Sequence, residues 1–246
     1  MKAVRVTFLG TGDAFCAGGL HQSAYFVQAS ETSFLLDCGA SVLSCLKQQH
    51  IEPDSIDTVL ISHLHGDHFA GLPFLFLEFL YMARRRRPLT IAGPAGTEER
   101  VNTLFSAMYS HAAAEPLPFE LQFVHLAAEQ RRIGPLVVQP FSVPHQQSEP
   151  AFGFRVEVDG RAIVYSGDSG WTEELPRHSR GSDLFICECS SFDTRTTYHL
   201  DYALLLENRD RFGSKRTILT HFGQDVLARR DEIDMELAEE GLVVEL

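Results

Sequence analysis

Thr58-Val59-Leu60-Ile61-Ser62-His63-Leu64-His65-Gly66-Asp67-His68 is the stretch that decides how this chain folds. Its first four residues are apolar or β-branched and suit a buried strand. Three imidazoles and one carboxylate then follow between positions 63 and 68. Gly66 marks a tight turn where the chain leaves the strand, so these side chains can converge instead of alternating across a sheet. Buried histidine and aspartate must be paired or ligated, and so dense a cluster is best satisfied by metal. Imidazole with carboxylate suits zinc, manganese or ferrous iron, whereas a structural zinc site leans on thiolates, and no cysteine lies in the motif.

Other runs end in the same way. His145 follows the apolar stretch that begins at Leu136, Asp168 follows Ala162-Ile163-Val164-Tyr165, and His221 follows Thr217-Ile218-Leu219. Each sits at the C-terminal end of a strand-like run. Helical patterns interleave with the strands at Ser41–Gln49, Phe69–Met82, Gly96–Met108, Leu200–Arg211 and Val226–Glu240. Val158-Asp159-Gly160-Arg161 reads as a hairpin turn between two strands. Periodicity alone therefore implies an α/β sandwich, two sheets face to face with helices outside.

His63-x-His65-x-Asp67-His68 resembles the signature of the metallo-β-lactamase superfamily. Val4–Phe15 looks like that family's first strand and glycine loop, and Ser33–Gly39 like its strand ending in an Asp-x-Gly turn. The resemblance implies an αββα sandwich with two mixed β-sheets and helices on the outer faces. It also implies two divalent ions, zinc in the first place, with manganese and ferrous iron also suited. Carried over residue by residue, it puts His63, His65 and His145 on one ion and Asp67, His68 and His221 on the other, with Asp168 bridging them. Attack would come from a hydroxide held between the metals, with Asp67 orienting the water and accepting its proton.

Composition narrows the class. The 246 residues contain no linker-like stretch and read as one metallo-β-lactamase-like domain over 1–246. Hydrophobic residues at 44%, with 18 Phe, supply ample core, and no apolar run reaches membrane-spanning length. Met1-Lys2 leads straight into the first strand, which leaves no room for a signal peptide. Five cysteines, an odd number without CxxC spacing, fit reduced thiols in a cytoplasm. A net charge of −12 is the wrong sign for a protein that holds polyanions through many phosphate contacts. The single basic run, Arg84–Arg87, reads as a solvated helix C-terminus favoured by the helix dipole, with a phosphate contact as the second reading. The aromatic-rich segment Phe74–Met82 before it exceeds what one helical face needs and could meet a partner in a homodimer.

Cys187-Glu188-Cys189-Ser190-Ser191-Phe192, followed by Thr197-Tyr198-His199-Leu200, looks like the phosphodiesterase branch that contains ribonuclease Z and the phosphoribosyl cyclic phosphodiesterases. In that branch a non-ligand histidine in the place of His199 acts on the leaving group, and Glu188 could orient it. Ribonuclease Z enzymes usually carry a long arm for transfer RNA between the residues matching His145 and Asp168. Here Asp168 comes only 23 positions (168 − 145) after His145. The expected activity is therefore that of a dinuclear metal-dependent phosphodiesterase on a small or medium substrate, with structured RNA disfavoured. The alternatives are a tRNA 3′-processing endonuclease, a lactone, β-lactam or ester hydrolase of the same fold, and a non-catalytic metal-binding module.

Overall fold

The computed structural model describes residues 3–246. Strands β1 (Arg5–Gly10), β2 (Ala24–Gln28), β3 (Ser33–Leu36), β4 (Thr58–Leu60), β5 (Leu89–Gly93) and β6 (Leu121–His125) lie in that order in the first sheet. The second sheet holds β7 (Arg131–Ile133), β8 (Leu136–Ser142), β9 (Phe152–Val158), β10 (Arg161–Tyr165), β11 (Leu184–Glu188), β12 (Thr217–Thr220) and β13 (Glu236–Leu237). The last strand, β14 (Val243–Glu245), returns to pair with β1. Each sheet has seven strands and is mixed, with an antiparallel half and a parallel half.

Strand alternation sorts the side chains. Val6, Phe8, Tyr25, Val27, Phe34, Leu36 and Leu60 face the second sheet and share one core with Phe154, Val156, Ile163, Ile186 and Ile218. Their neighbours Leu9, Phe26, Leu35 and Val59 face outward, where α1 (Val42–Gln48), α2 (Gly66–Phe69), α3 (Leu72–Leu77) and α4 (Thr97–Met108) bury them. A short α5 (Ser110–Ala114) follows α4. On the second sheet α6 (Glu174–Ser179) and α7 (Tyr202–Phe212) do the covering, with Phe212 edge-on to Phe185 at 5.1 Å. The Asp201 carboxylate caps α7 by accepting from the Leu204 N–H at 2.9 Å. Asp159 and Gly160, at φ 50° and 74°, form the expected hairpin turn between β9 and β10.

Three expectations change. The segment Phe69–Met82 is broken rather than continuous: Gly71 interrupts it where the backbone passes against Cys38 and Gly39, and a Cβ there would come 2.8 Å from the Cys38 carbonyl oxygen. A π-helical turn at Glu78–Met82 then ends the segment. Val226–Glu240 is not one helix. α8 (Gln224–Ala228) and a single 3-10 turn at Arg230–Glu232 are helical there, followed by β13, because the open edge of β12 offers unpaired backbone groups and Ile233, Met235 and Leu237 alternate onto the core.

The third change is within Arg84–Arg87, where Arg84, Arg86 and Arg87 are exposed after the helical turn as expected but Arg85 is not solvated. Arg85 is 1% exposed. Its guanidinium donates to the carbonyls of Arg87, Asp54, Ile56 and Pro88 and to the Asp54 carboxylate, and it lies 4.8 Å over the Phe79 ring. Arg87 pairs with Asp57, and Arg86 reaches the Pro118 carbonyl. Arg85 is a structural bolt between this turn and the loop before β4. Arg85→Ala is accordingly expected to destabilise the protein by about 2–4 kcal/mol, because it empties the space of a fully buried side chain and strips several backbone carbonyls of their donor, while the partly exposed Asp54 carboxylate turns to water. Arg84→Ser should stay within about 0.5 kcal/mol. Denaturant midpoints of the two variants check this, and equal losses would contradict it.

Candidate metal centre

Strand ends build the site. The C-terminal ends of β4, β8, β10 and β12 open onto one edge of the sandwich and carry His63 to His68, His145, Asp168 and His221. The ladder hydrogen bonds of each sheet hold these ends fixed, so short loops can place the side chains with little freedom. All seven expected ligand residues come together. The donor atoms of His63, His65 and His145 form one cluster, and those of Asp67, His68, Asp168 and His221 a second, each within 4.8 Å.

One oxygen sits at the middle. Asp168 Oδ2 lies 3.3 Å from Nε2 of both His68 and His221, 3.8 Å from His63 Nε2 and 3.9 Å from His145 Nε2. His145 Nε2 is 3.0 Å from His65 Nδ1, and Asp67 Oδ2 is 3.1 Å from His68 Nε2. All are buried except His65, which stands at the solvent side. His63 Nε2, His68 Nε2 and Asp168 Oδ1 are buried and make no hydrogen bond. Buried polar atoms are rarely left this way, and three of them aimed into one cluster of imidazole and carboxylate fit a metal centre.

Burial and neighbouring charge set the protonation of these groups in different directions. Burial holds the imidazoles of His63 and His145 below their ordinary range, which favours the neutral, ligating form. At His68 burial opposes the charge, but the carboxylates of Asp168, Asp67 and Asp37 outweigh it and raise its pKa. Asp168 is pulled well down, since the surrounding imidazoles outweigh its burial.

Behind the candidate ligands stands a shell that the sequence did not disclose. Asp37 accepts from Ser62 N–H and Ser62 Oγ, from His68 Nδ1 and from Tyr165 Oη, each at 2.7–2.8 Å. Ser62 Oγ also contacts His63 Nδ1 at 3.0 Å, so one carboxylate orients imidazoles of both clusters. Ser23 Oγ holds His221 Nδ1 at 3.1 Å, and the Tyr198 carbonyl accepts from His145 Nδ1 at 3.1 Å. Asp37 carried one visible signal, its place directly after the apolar run of β3, much as His221 follows β12.

His199, partly exposed at the rim, pairs with the buried Glu188 at the end of β11. His199 Nδ1 is 3.1 Å from Glu188 Oε2, and the other carboxylate oxygen accepts from the Ser169 N–H. The His199 ring lies 4.9 Å from that of His145 and stacks at 5.8 Å on that of His221. Burial alone would depress this imidazole, but the adjoining Glu188 carboxylate lifts it to about 9. A ring nitrogen of His199 is also within 4.8 Å of the donor atoms of His145 and Asp168.

Two mixed sheets with helices outside and this His/Asp cluster at one edge define a metal-dependent hydrolase of the metallo-β-lactamase fold. The family model described as anti-Pycsar protein Apyc1 matches residues 4–244, and the chain belongs to that family. It is 33% identical over 199 residues to an uncharacterized protein of Mycobacterium tuberculosis, covering 76% of this chain and 68% of that one. A ribonuclease Z of Ignicoccus hospitalis is 30% identical over 246 residues, covering 98% of this chain and 79% of its own. The crystal structure of the short form of human tRNase Z superposes with a TM-score of 0.79 at 26% identity, covering 98% of each chain. No helix among the described residues is long and apolar enough to cross a membrane.

Proposed function

We propose that this protein, acting as one metallo-β-lactamase-like domain, hydrolyses small or medium phosphodiesters at a centre for two divalent ions. His63, His65 and His145 would hold one ion and Asp67, His68 and His221 the other, with Asp168 shared; zinc suits this donor set best, and manganese or ferrous iron also fit. When bound, the ions supply Lewis acidity and make water a competent nucleophile at neutral pH. Asp67 takes the proton of the attacking water. His199, held through Nδ1 by Glu188, gives its other ring proton to the departing oxygen. The observation that carries the reading is this pair beside the ligand cluster. An alkoxide leaving group needs a proton donor, and such a donor is worth about two to four orders of magnitude.

Likeness to ribonuclease Z favours a second reading, a tRNA 3′-processing endonuclease. Against it stand the net charge of −12, the consumption of Arg85 and Arg87 in internal contacts, and the content of the span between His145 and Asp168, which is a loop, β9, a two-residue turn and β10. A cyclic nucleotide, a cyclic sugar phosphate or a short oligonucleotide fits these constraints better. The unpaired cysteines accord with a reducing cytoplasm, and Tyr81 and Met82, 59% and 71% exposed, would suit contact with a second copy.

Turnover of bis-p-nitrophenyl phosphate, p-nitrophenyl phosphate, a lactone and nitrocefin by protein of measured metal content tests the reaction class. Diester cleavage is expected to dominate and to vanish on chelation; preference for the lactone or nitrocefin would refute the phosphodiesterase. His199→Ala should keep its metal and lose about two to four orders of magnitude on diesters with alkoxide leaving groups, and much less on p-nitrophenyl esters. A competition between a small cyclic diester and precursor transfer RNA at fixed salt separates the two substrates. Higher kcat/KM for site-specific cleavage of the RNA would favour the endonuclease.

A further inference from the structure

We infer that Thr196 and Gly170 are positioning residues that fix where His199 delivers its proton, an inference that rests on His199 being the proton donor. Residues 193–198 are exposed and contain no helix or strand. A donor carried at the end of such a segment would ordinarily wander, yet general acid catalysis needs placement within about 0.5 Å. Two contacts outside the ligand set remove that freedom. Thr196 Oγ1 accepts from the His199 N–H at 3.1 Å and donates to the His199 carbonyl at 3.2 Å, so a single hydroxyl brackets the backbone of the donor.

The second contact is steric. A Cβ at Gly170 would fall on the Thr197 carbonyl, 2.8 Å from its carbon and closer still to its oxygen. Glycine is needed here for space and not for an unusual φ. Its N–H donates to the Pro144 carbonyl at 2.6 Å, immediately before His145, and the neighbouring Ser169 N–H holds Glu188. Asp168-Ser169-Gly170 therefore sets the shared carboxylate, the partner of His199 and the seat of the His199 loop within three residues. The distance from donor to ligands is fixed by this one segment.

Thr196→Val removes the hydroxyl from an exposed residue at nearly constant shape, and Gly170→Ala pushes on the loop. Both are expected to keep the metal content of the parent. Both should lose about ten- to hundredfold in kcat on a diester with an alkoxide leaving group, with KM and bis-p-nitrophenyl phosphate turnover little changed. In a His199→Ala background neither should cause further loss, because each acts through that imidazole. In metal-free protein the His199 Nδ1 proton, followed by NMR, should exchange faster in Thr196→Val. Should Gly170→Ala fail to fold, Thr196→Val decides the matter. Additive losses with His199→Ala, or an unchanged leaving-group dependence while His199→Ala itself is selective, would overturn the positioning role alone. A His199→Ala enzyme without leaving-group selectivity would remove the proton donor and the positioning role together.

Discussion

Asp168→Ala is expected to lower kcat/KM on small phosphodiesters by about three orders of magnitude or more and to reduce the bound metal below two ions per chain. The reason is geometric. A single carboxylate oxygen stands 3.3 Å from imidazole nitrogens of one half-site and 3.8–3.9 Å from those of the other. Among the described residues, no other acidic side chain is placed with both clusters. On the proposed ligand set, removing it would take a ligand from each ion at once and remove one of the carboxylates that favour cations between the imidazoles. Asp168→Asn keeps the volume and loses the charge, so it should fall between the parent and Asp168→Ala in metal affinity. Elemental analysis after reconstitution and steady-state kinetics check both. Two tightly held ions together with near-parental turnover in Asp168→Ala would refute the bridging role.

Asp37→Ala should do its damage without touching a ligand. Four donors from Ser62, His68 and Tyr165 converge on this fully buried carboxylate, and stripping all of them of their acceptor is expected to cost about 3–5 kcal/mol of stability. Metal affinity should fall about 10–100-fold as His63 and His68 lose the contacts that fix their rings. Asn tolerates the left-handed backbone of this position, φ 57°, so Asp37→Asn isolates the loss of the charge and of one acceptor oxygen from any backbone effect. Chemical denaturation of metal-free protein gives the stability term, and competitive metal titration gives the affinity. If Asp37→Ala leaves both unchanged, the shell behind the ligands has been misread.

Sequence alone discloses the candidate ligands and hides most of what holds them. His63 to His68, His145, Asp168 and His221 are legible because each follows an apolar run, and a strand's end is where a sheet can present a fixed side chain. The two mixed sheets are legible for the same reason, since alternation along β1, β2 and β3 sorts residues between two cores. Asp37 is harder. Its partner Tyr165 lies 128 residues away, and nothing local marks a carboxylate as the acceptor for four donors. Arg85 fails for the opposite reason: a run of four arginines looks solvated, and only the tertiary fold supplies the cage of carbonyls that buries one of them. Val226–Glu240 carries apolar residues compatible with either period, and the free edge of β12 decides in favour of a strand at Glu236–Leu237.

Titration of metal-free protein with zinc or manganese, while hydrolysis of a small cyclic phosphodiester is followed, bears most directly on a two-ion phosphodiesterase. Activity is expected to rise chiefly with the second equivalent and to level at two ions per chain, with diester as the cleaved bond. Full activity at one equivalent, or saturation at two ions with no diester cleavage, would contradict it.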